Sequence, residues 1–199
     1  MGKRNRAKAL ARWENDTQTW STETARRLAV DLYQGRPTAQ APYRIGVVLD
    51  HGEVIWAETP MRFDADPPAR PMFANSRQTQ PLAPPIRPWL ITNARVVGRL
   101  GDEQLHGWRW EKITGCRVGL DPGREFVALD LDRQEPLVWR GPAVAPLAIA
   151  AVFHLHGPAA LVDHPGLGPL KVQSNRTVGD DHSIDDRLEL SAPAPPWSV

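Results

Sequence analysis

Alternating apolar and polar residues run through the middle of the chain and predict an antiparallel sheet. The sharpest case is residues 89–100, Trp-Leu-Ile-Thr-Asn-Ala-Arg-Val-Val-Gly-Arg-Leu, which alternate as in one half-buried strand. Further apolar stretches follow at residues 105–120, 126–131 and 137–140. Short turns are predicted between them at residues 101–102, 121–123 and 132–135, of which Asp-Pro-Gly at 121–123 is the strongest signal.

Another hairpin is predicted before this region. Residues 43–49 have the pattern of a strand, residues 50–52 that of an Asp-His-Gly turn, and residues 53–63 that of the partner strand. The connection at residues 64–88 holds seven prolines. Because proline lacks an N–H and has a fixed φ, we expect this segment to stay out of a central sheet. Loops of this length are usually functional or disordered.

A helix is predicted at residues 142–156, opened by Gly141-Pro142 and ended by Gly157-Pro158. Its apolar residues recur at i, i+3, i+4, i+7, i+8 and i+11, which makes one continuous stripe. The stripe comprises Val144, Leu147, Ala148, Ala151, Val152 and Leu155. The helix must therefore pack against another part of the protein.

An N-terminal helix is predicted at residues 22–34, with Ser21 or Thr22 as N-cap and a stop at Gly35 and Pro37. It begins nearer Arg12 if Trp13 and Trp20 belong to its apolar stripe. Phe153 lies about 180° from the centre of the C-terminal helix stripe at 100° per residue. It is either exposed or covered by the N-terminal helix. We expect the second, which makes the N-terminal helix part of the domain.

With 199 residues and 41% hydrophobic content, the chain fits one domain with appendages. We expect a disordered basic arm at residues 1–12, a helix and linker at 13–42, the folded domain at 43–170, and a flexible acidic tail at 171–199. The net charge of +1 argues against a strongly electrostatic partner for the whole molecule. Residues 1–44 nevertheless hold nine Lys or Arg against four Asp or Glu. The cations of the arm are Lys3, Arg4, Arg6, Lys8 and Arg12.

The rest of the composition favours a cytoplasmic protein. No run of about 18 apolar residues is present, and no apolar segment follows the basic start as in a secretory signal. The single cysteine, Cys116, excludes an intramolecular disulfide, and its strand-like neighbours favour a buried, inert thiol. Arg outnumbers Lys twenty to four, a bias typical of GC-rich bacterial genomes.

The predicted strands and terminal helix resemble the bacterial pleckstrin-homology-like and GRAM-like domains. The likeness is carried by Leu90, Ile91, Thr92, Asn93, Arg95 and Val96, by Trp110-Glu111-Lys112-Ile113, and by the strand pair at residues 115–121 and 125–132. It implies a curled antiparallel β-barrel or sandwich closed by a C-terminal helix, across residues 43–170. Members that bind phosphoinositides carry several Lys or Arg around the first hairpin turn. Here that turn is Asp50-His51-Gly52 followed by Glu53, which argues against an inositol-phosphate site.

Metal-competent side chains occur near the end of the C-terminal helix, at His154, His156, Asp163 and His164. Residues two apart on a helix point about 200° apart, so His154 and His156 share an ion only if the helix frays. We therefore expect no metal and no cofactor. His156 lies beside Gly157, at the end of the predicted helix. A protonated imidazole there interacts favourably with the partial negative charge of the helix C-terminus.

No other pattern points to catalysis. Asp130 and Asp132 alternate with apolar neighbours as on a strand with one wet face. Nucleophile-elbow, Walker-type and dinucleotide-binding glycine motifs are absent from the sequence. Trp108 and Trp110 share a face if their segment is a strand, and with Arg109 they could form a stacking platform for single-stranded nucleic acid. Filling the core is the favoured role for these rings.

We therefore predict a non-catalytic cytoplasmic binding or adaptor module that recognises a protein or peptide through the open edge or groove beside residues 142–156. The candidate binding residues are Arg95, Arg99, Trp108, Arg109 and Phe153. Two alternatives stay open. The basic arm could bind nucleic acid or an anionic surface weakly and in a salt-sensitive manner. A metal-dependent enzyme would instead use His154, His156 and His164.

Overall fold

The computed structural model of the chain describes residues 3–36, 38, 41, 43–65, 85–100 and 104–170, without the side chains of residues 3, 4, 6 and 169. Its helices are α1 (Lys3–Tyr33), α2 (Ala145–His156) and α3 (Ala160–Asp163). Its strands are β1 (Ile55–Phe63), β2 (Ile86–Thr92), β3 (Arg95–Leu100), β4 (Gln104–Arg109), β5 (Ile113–Gly119), β6 (Phe126–Leu131) and β7 (Leu137–Arg140). A 3₁₀ turn at Trp110–Lys112 and a kinked 3₁₀ segment at Pro165–Leu170 complete the described part.

The seven strands of the described residues form one antiparallel sheet in the order β4-β3-β2-β1-β7-β6-β5. Neighbours in this order are also close along the chain, except where β7 returns to pair with β1 at Arg62 and Phe63. The predicted class is confirmed: a mainly β fold with a C-terminal helix and an added N-terminal helix. The predicted tail at residues 171–199 and most of the proline-rich connection lie outside the described residues.

The prediction of one strand at residues 89–100 is wrong, because the chain turns back after Thr92. The Thr92 hydroxyl accepts hydrogen bonds from the N–H groups of Ala94 and Arg95, at 3.1 and 2.9 Å. The Asn93 side chain accepts another from the Val54 N–H at 2.8 Å. Side chain to backbone bonds of this kind build a tight turn without glycine or proline.

Two predictions about strand borders are also wrong. Residues 43–49 are extended but pair with no strand, so the turn at residues 51–52 precedes β1 without closing a hairpin. The proline-rich range does contribute to a central strand, since β2 begins at Ile86 and places Pro88 opposite Pro60 of β1. The sheet tolerates both prolines because β3 pairs with β2 only from Trp89 onward and β7 pairs with β1 only from Arg62 onward.

Helix α1 is much longer than predicted. It is continuous from Lys3, so the predicted disorder of the arm is wrong for residues 3–12, and Ser21 and Thr22 lie inside the helix instead of capping it. No glycine or proline interrupts residues 3–33, and alanine, leucine and arginine are good helix formers. The predicted stop is confirmed, because Gly35 adopts φ +64°, a conformation that ends helices.

Helix α2 is buried on all sides. Every residue from Ala145 to Val152 is buried, including the residues between the predicted stripe positions. The sheet covers one side of α2, and α1 packs against another. The buried positions of α1 are Thr17, Ser21, Ala25, Leu28, Ala29 and Leu32, which form one face of small and apolar residues. The expectation that the N-terminal helix belongs to the domain is therefore confirmed.

Large aromatic rings fill the inside of the sheet. Phe63 lies 5.3 Å from Trp89, 5.4 Å from Trp108 and 4.9 Å from Trp139 between ring centroids. Trp89 and Trp139 are fully buried, and Trp108 is half-buried at the edge of the group. Burying rings of this size removes a large apolar area from water. The predicted core role of Trp108 is confirmed.

Substituting Gly98 by alanine should destabilise the protein by about 1–3 kcal/mol. Gly98 pairs with Trp89, and an added Cβ would lie 2.5 Å from the indole Cε3 atom of this buried ring. The neighbouring strand offers a control, because the Cβ of Gly107→Ala would meet Val97 at 3.4 Å, an ordinary contact distance. Urea denaturation of both variants measures the difference. Equal free energies of unfolding for the two would contradict this packing.

Candidate functional site

Three of the predicted binding residues lie on one face of the sheet. Arg95 on β3 is directly opposite Arg109 on β4, and Arg99 follows Arg95 at an alternate position on the same strand. Alternate residues of a strand point to the same side, so the three guanidinium groups share the face that also carries Val97. This face is opposite to the aromatic core.

An extended segment of the chain, residues 43–50, lies across the same face. Its Ile45 packs in a small second apolar cluster with Ile55, Leu90 and Val97. The Arg44 N–H donates a hydrogen bond to the carboxylate of Glu58. The segment therefore covers part of the sheet although it contributes no strand.

All three arginines hold this extended segment or the turn after it. Arg95 donates two hydrogen bonds of 2.9 Å to the Glu53 carboxylate and one of 2.9 Å to the Val48 carbonyl. Arg99 reaches the Gly46 carbonyl at 3.4 Å, and Arg109 forms an ion pair with Asp50. Arg95 is largely committed to this intramolecular role, since only 17% of its side chain is exposed.

The carboxylate of Glu53 is the centre of this network. Burial alone would raise the pKa of Glu53, but hydrogen bonds from Arg95, the Asp50 N–H and the Thr92 hydroxyl outweigh it and lower the pKa below its ordinary value. The charged form is therefore the stable one in the folded protein. It links the start of β1 to the turn between β2 and β3.

The outer edge of β4 is open. β4 is the terminal strand of the sheet, and no strand of the described residues pairs with its far side. Most of its residues are exposed, and Leu105 is 45% exposed. Leu105 lies opposite Arg99, on the face that also carries the arginines. The side chain of Val48, the residue whose carbonyl accepts a hydrogen bond from Arg95, is 89% exposed.

The predicted pairing of Trp108 and Trp110 on one strand face is wrong. Trp110 lies in the 3₁₀ turn after β4, where its indole N–H donates to the Thr92 carbonyl at 2.9 Å. Its ring stacks on His154 at 4.8 Å, whereas Trp108 joins the aromatic group around Phe63. The two rings therefore do not form a common stacking platform.

The groove predicted beside α2 is also not open. α1 packs along α2, and the 165–170 segment packs against β5. A Cβ on Gly166 would lie 2.6 Å from the Val118 carbonyl oxygen, which measures how closely this segment approaches the strand. Phe153 is half-buried, with its ring edge-to-face to Trp56 at 6.1 Å.

Among the described residues, His154 does not belong to a group of potential metal ligands. Its ring is stacked between Trp56 at 5.3 Å and Trp110 at 4.8 Å. Its buried Nε2 has no hydrogen-bond partner among the described residues. Burial lowers the pKa of His154 to about 4, so the imidazole is neutral at pH 7. The predicted grouping with His156 and His164 is therefore wrong for this histidine.

The structure brings a different residue to the other two histidines. Potential ligand atoms of Cys116, His156 and His164 all lie within 4.8 Å of one another. Cys116 was predicted to be buried but is half-buried. Burial, with a smaller effect from Asp130, raises the pKa of its thiol to about 11. Sequence spacing did not reveal this group, because Cys116 is forty residues away from His156.

The cations of the N-terminal arm are placed only in part. Lys8 and Arg12 project from exposed turns of α1, and Arg12 lies 3.6 Å from Asp16 one helical turn later. The side chains of Lys3, Arg4 and Arg6 lie outside the described residues. None of the described helices is long and apolar enough to cross a bilayer.

The substitution Glu53→Gln should lower the free energy of unfolding by about 2 kcal/mol, because it leaves the Arg95 charge without its buried partner. Asp64→Asn is the matched control. Its partner Arg140 is 53% exposed, and exposed pairs contribute less than about 1 kcal/mol. Thermal and urea denaturation measure both variants. An equal loss in the two would mean that the Glu53 network does not hold the fold.

His154 should make the protein less stable in mild acid. Its pKa is lower in the folded protein than its ordinary value of 6.5, so the unfolded chain binds the proton first as the pH falls. The contribution of neutral His154 to the free energy of unfolding is complete above pH 6.5 and is lost as the pH falls toward 4. Between pH 7 and pH 5, His154→Phe should lose about 2 kcal/mol less than the parent protein. Urea titrations with a chelator present test this, with His51→Phe in the exposed turn as control. An unchanged pH dependence in His154→Phe would contradict the burial of this ring.

Comparison with known proteins does not identify a family for this chain. No protein-family model matches the sequence, and no curated protein sequence matches it. Among solved structures, a similar chain is titled "Vps36 N-terminal PH domain". The match has 8% sequence identity and a TM-score of 0.35, and it covers 57% of this chain and 89% of that chain.

Proposed function

We propose that this protein is a non-catalytic binding module of the pleckstrin-homology-like type, and that it recognises an extended peptide of a partner protein. The observation that carries the proposal is the open outer edge of β4. An edge strand presents unpaired backbone N–H and C=O groups, and an added peptide strand satisfies them in a row.

The other end of the sheet is less suited to this role. β5 is the opposite terminal strand, but α2 and the 165–170 segment pack against it. The β4 edge has no such cover among the described residues. It also contains no proline or positive-φ residue that would interrupt pairing.

The side chains around β4 favour a peptide with apolar and acidic residues. Leu105 offers an exposed apolar contact. Arg99 and Arg109 lie on the same face, and half of the Arg109 side chain is exposed. A peptide strand paired to β4 would place alternate side chains on this face, where carboxylates would meet Arg99 and would share Arg109 with its intramolecular partner Asp50.

Proline substitutions at adjacent positions of β4 test this function. Neighbouring residues of an edge strand point their N–H groups alternately to the paired strand and to solvent. Of Leu105→Pro and His106→Pro, one therefore removes an N–H that pairs with β3 and lowers the melting temperature. The other removes an outward N–H and leaves the melting temperature close to that of the parent protein.

The binding assay is a pull-down from lysate of the source cells, with nuclease treatment and a high-salt wash. We expect a discrete protein to be retained by the parent protein and by the control variant Arg117→Gln, whose residue lies on β5. The proline variant with the unchanged melting temperature should no longer retain this protein. Retention of that protein by both proline variants would rule out recognition through the β4 edge.

A second candidate function is supported by the exposed start of α1. Asn5 and residues 7–12 are exposed on a helix that begins at Lys3, so the basic arm is a solvent-accessible helix. Cations presented in this way favour weak binding to nucleic acid or an anionic surface. Lys8→Gln combined with Arg12→Gln separates the two functions in the same assay. If the parent protein retains nucleic acid or lipid, and the double variant or a high-salt wash does not, the result would favour binding by the arm over binding by the β4 edge.

A further inference from the structure

We propose that Cys116, His156 and His164 form a binding site for a divalent transition metal of the zinc type. Cys116 is on β5, His156 is the last residue of α2, and His164 follows α3. This site is separate from the β4 edge and does not depend on the function proposed for that edge.

The three ligand atoms are close to the spacing that a tetrahedral ion requires. They lie within 4.8 Å of one another. Zinc bonds of about 2.0–2.3 Å at tetrahedral angles separate neighbouring ligand atoms by roughly 3.4–3.6 Å. Closing the site therefore requires the ligand atoms to approach one another by about 1 Å at most.

The donor set selects the class of metal. One sulfur and two imidazole nitrogens suit zinc and cobalt, whereas magnesium and calcium prefer oxygen ligands. The nearby carboxylate of Asp130 is engaged by Arg117 at 3.3 Å. Three protein ligands leave one position of a tetrahedral ion for water. On binding, the metal displaces the thiol proton of Cys116, which passes to solvent.

A neighbouring hydrogen bond must change when the metal binds. His164 Nδ1 accepts a hydrogen bond from the Gly166 N–H at 3.2 Å. If Nδ1 binds the ion, it gives up this bond. If Nε2 binds the ion, the imidazole proton moves to Nδ1, which then no longer accepts. The Gly166 amide is therefore a reporter of coordination in either case.

The ion would add a link between parts of the fold that already pack against one another. It would tie the end of α2 and the connection from α3 to the 165–170 segment onto the terminal strand β5. The rings of His156 and His164 already lie face to face, 5.8 Å apart between centroids. Because such a site exists only in the folded state, binding should stabilise the protein.

Cobalt titration of the full chain, without an affinity tag and with a phosphine reductant, tests the site. We expect one equivalent of Co²⁺ to bind with a sulfur-to-cobalt charge-transfer band in the near ultraviolet. Cys116→Ser should remove the band. His156→Ala and His164→Ala should each weaken binding by roughly tenfold or more, since even groups that only orient a ligand contribute that much. His51→Ala, in the exposed turn, is the matched control and should bind as the parent protein does.

Two further measurements keep the test independent of any one variant. Zinc should raise the melting temperature of the parent protein and of His51→Ala but not of His156→Ala, whose exposed side chain can be removed without harm to the fold. The Gly166 amide resonance should shift on saturation with zinc. Absence of the charge-transfer band at one equivalent would overturn the site. A band that persists when both histidines are replaced would also overturn it, since the thiol alone would then be binding cobalt.

Discussion

The structure depends on the fact that α2 is apolar on every side. A helix of this kind cannot lie on a sheet with one face in water, because residues 145–152 would then expose apolar surface whichever way the helix turned. Helix α1 provides the second cover. Its small buried residues, among them Ser21, Ala25 and Ala29, let the two helices approach closely. The N-terminal helix is thus a layer of the domain core.

This arrangement decides which surfaces remain available for a partner. With α1 beside α2, and the 165–170 segment against β5, the side of the sheet near the C-terminal helix is occupied by the chain itself. The outer face of the sheet is partly occupied as well, because Arg95 and Glu53 fasten the extended segment at residues 43–50. What remains open among the described residues is the far edge of β4 and the exposed start of α1.

Sequence reasoning succeeded where the cause is local. Strand alternation and the glycines that end α1 and α2 each act over a few residues, and the mainly antiparallel class followed from them. It failed at the turn after Thr92, because there hydrogen bonds of a threonine hydroxyl replace the usual glycine or proline. It also took the basic composition of residues 3–12 as disorder, although no helix breaker interrupts that range.

The candidate sites were harder to predict because they depend on long-range contacts. Arg95, Arg99 and Arg109 were named from the sequence only as candidate binding residues, and their intramolecular partners lie about fifty residues earlier in the chain. The same is true of Cys116, which only the packing of α2 on β5 brings to His156 and His164. Which helix would cover α2 is likewise a property of the whole fold.

The most direct test of the central claim is amide hydrogen exchange along α1, resolved by residue. Docking on α2 predicts two regimes in one helix. Amides near Ala25 and Ala29 should exchange as slowly as those of the sheet, while amides at residues 5–12 should exchange fast, since an undocked helical end is marginally stable in water. Fast exchange along all of α1, with the sheet still protected, would contradict the account. It would mean that the side of α2 is open and that the partner surface must be sought there.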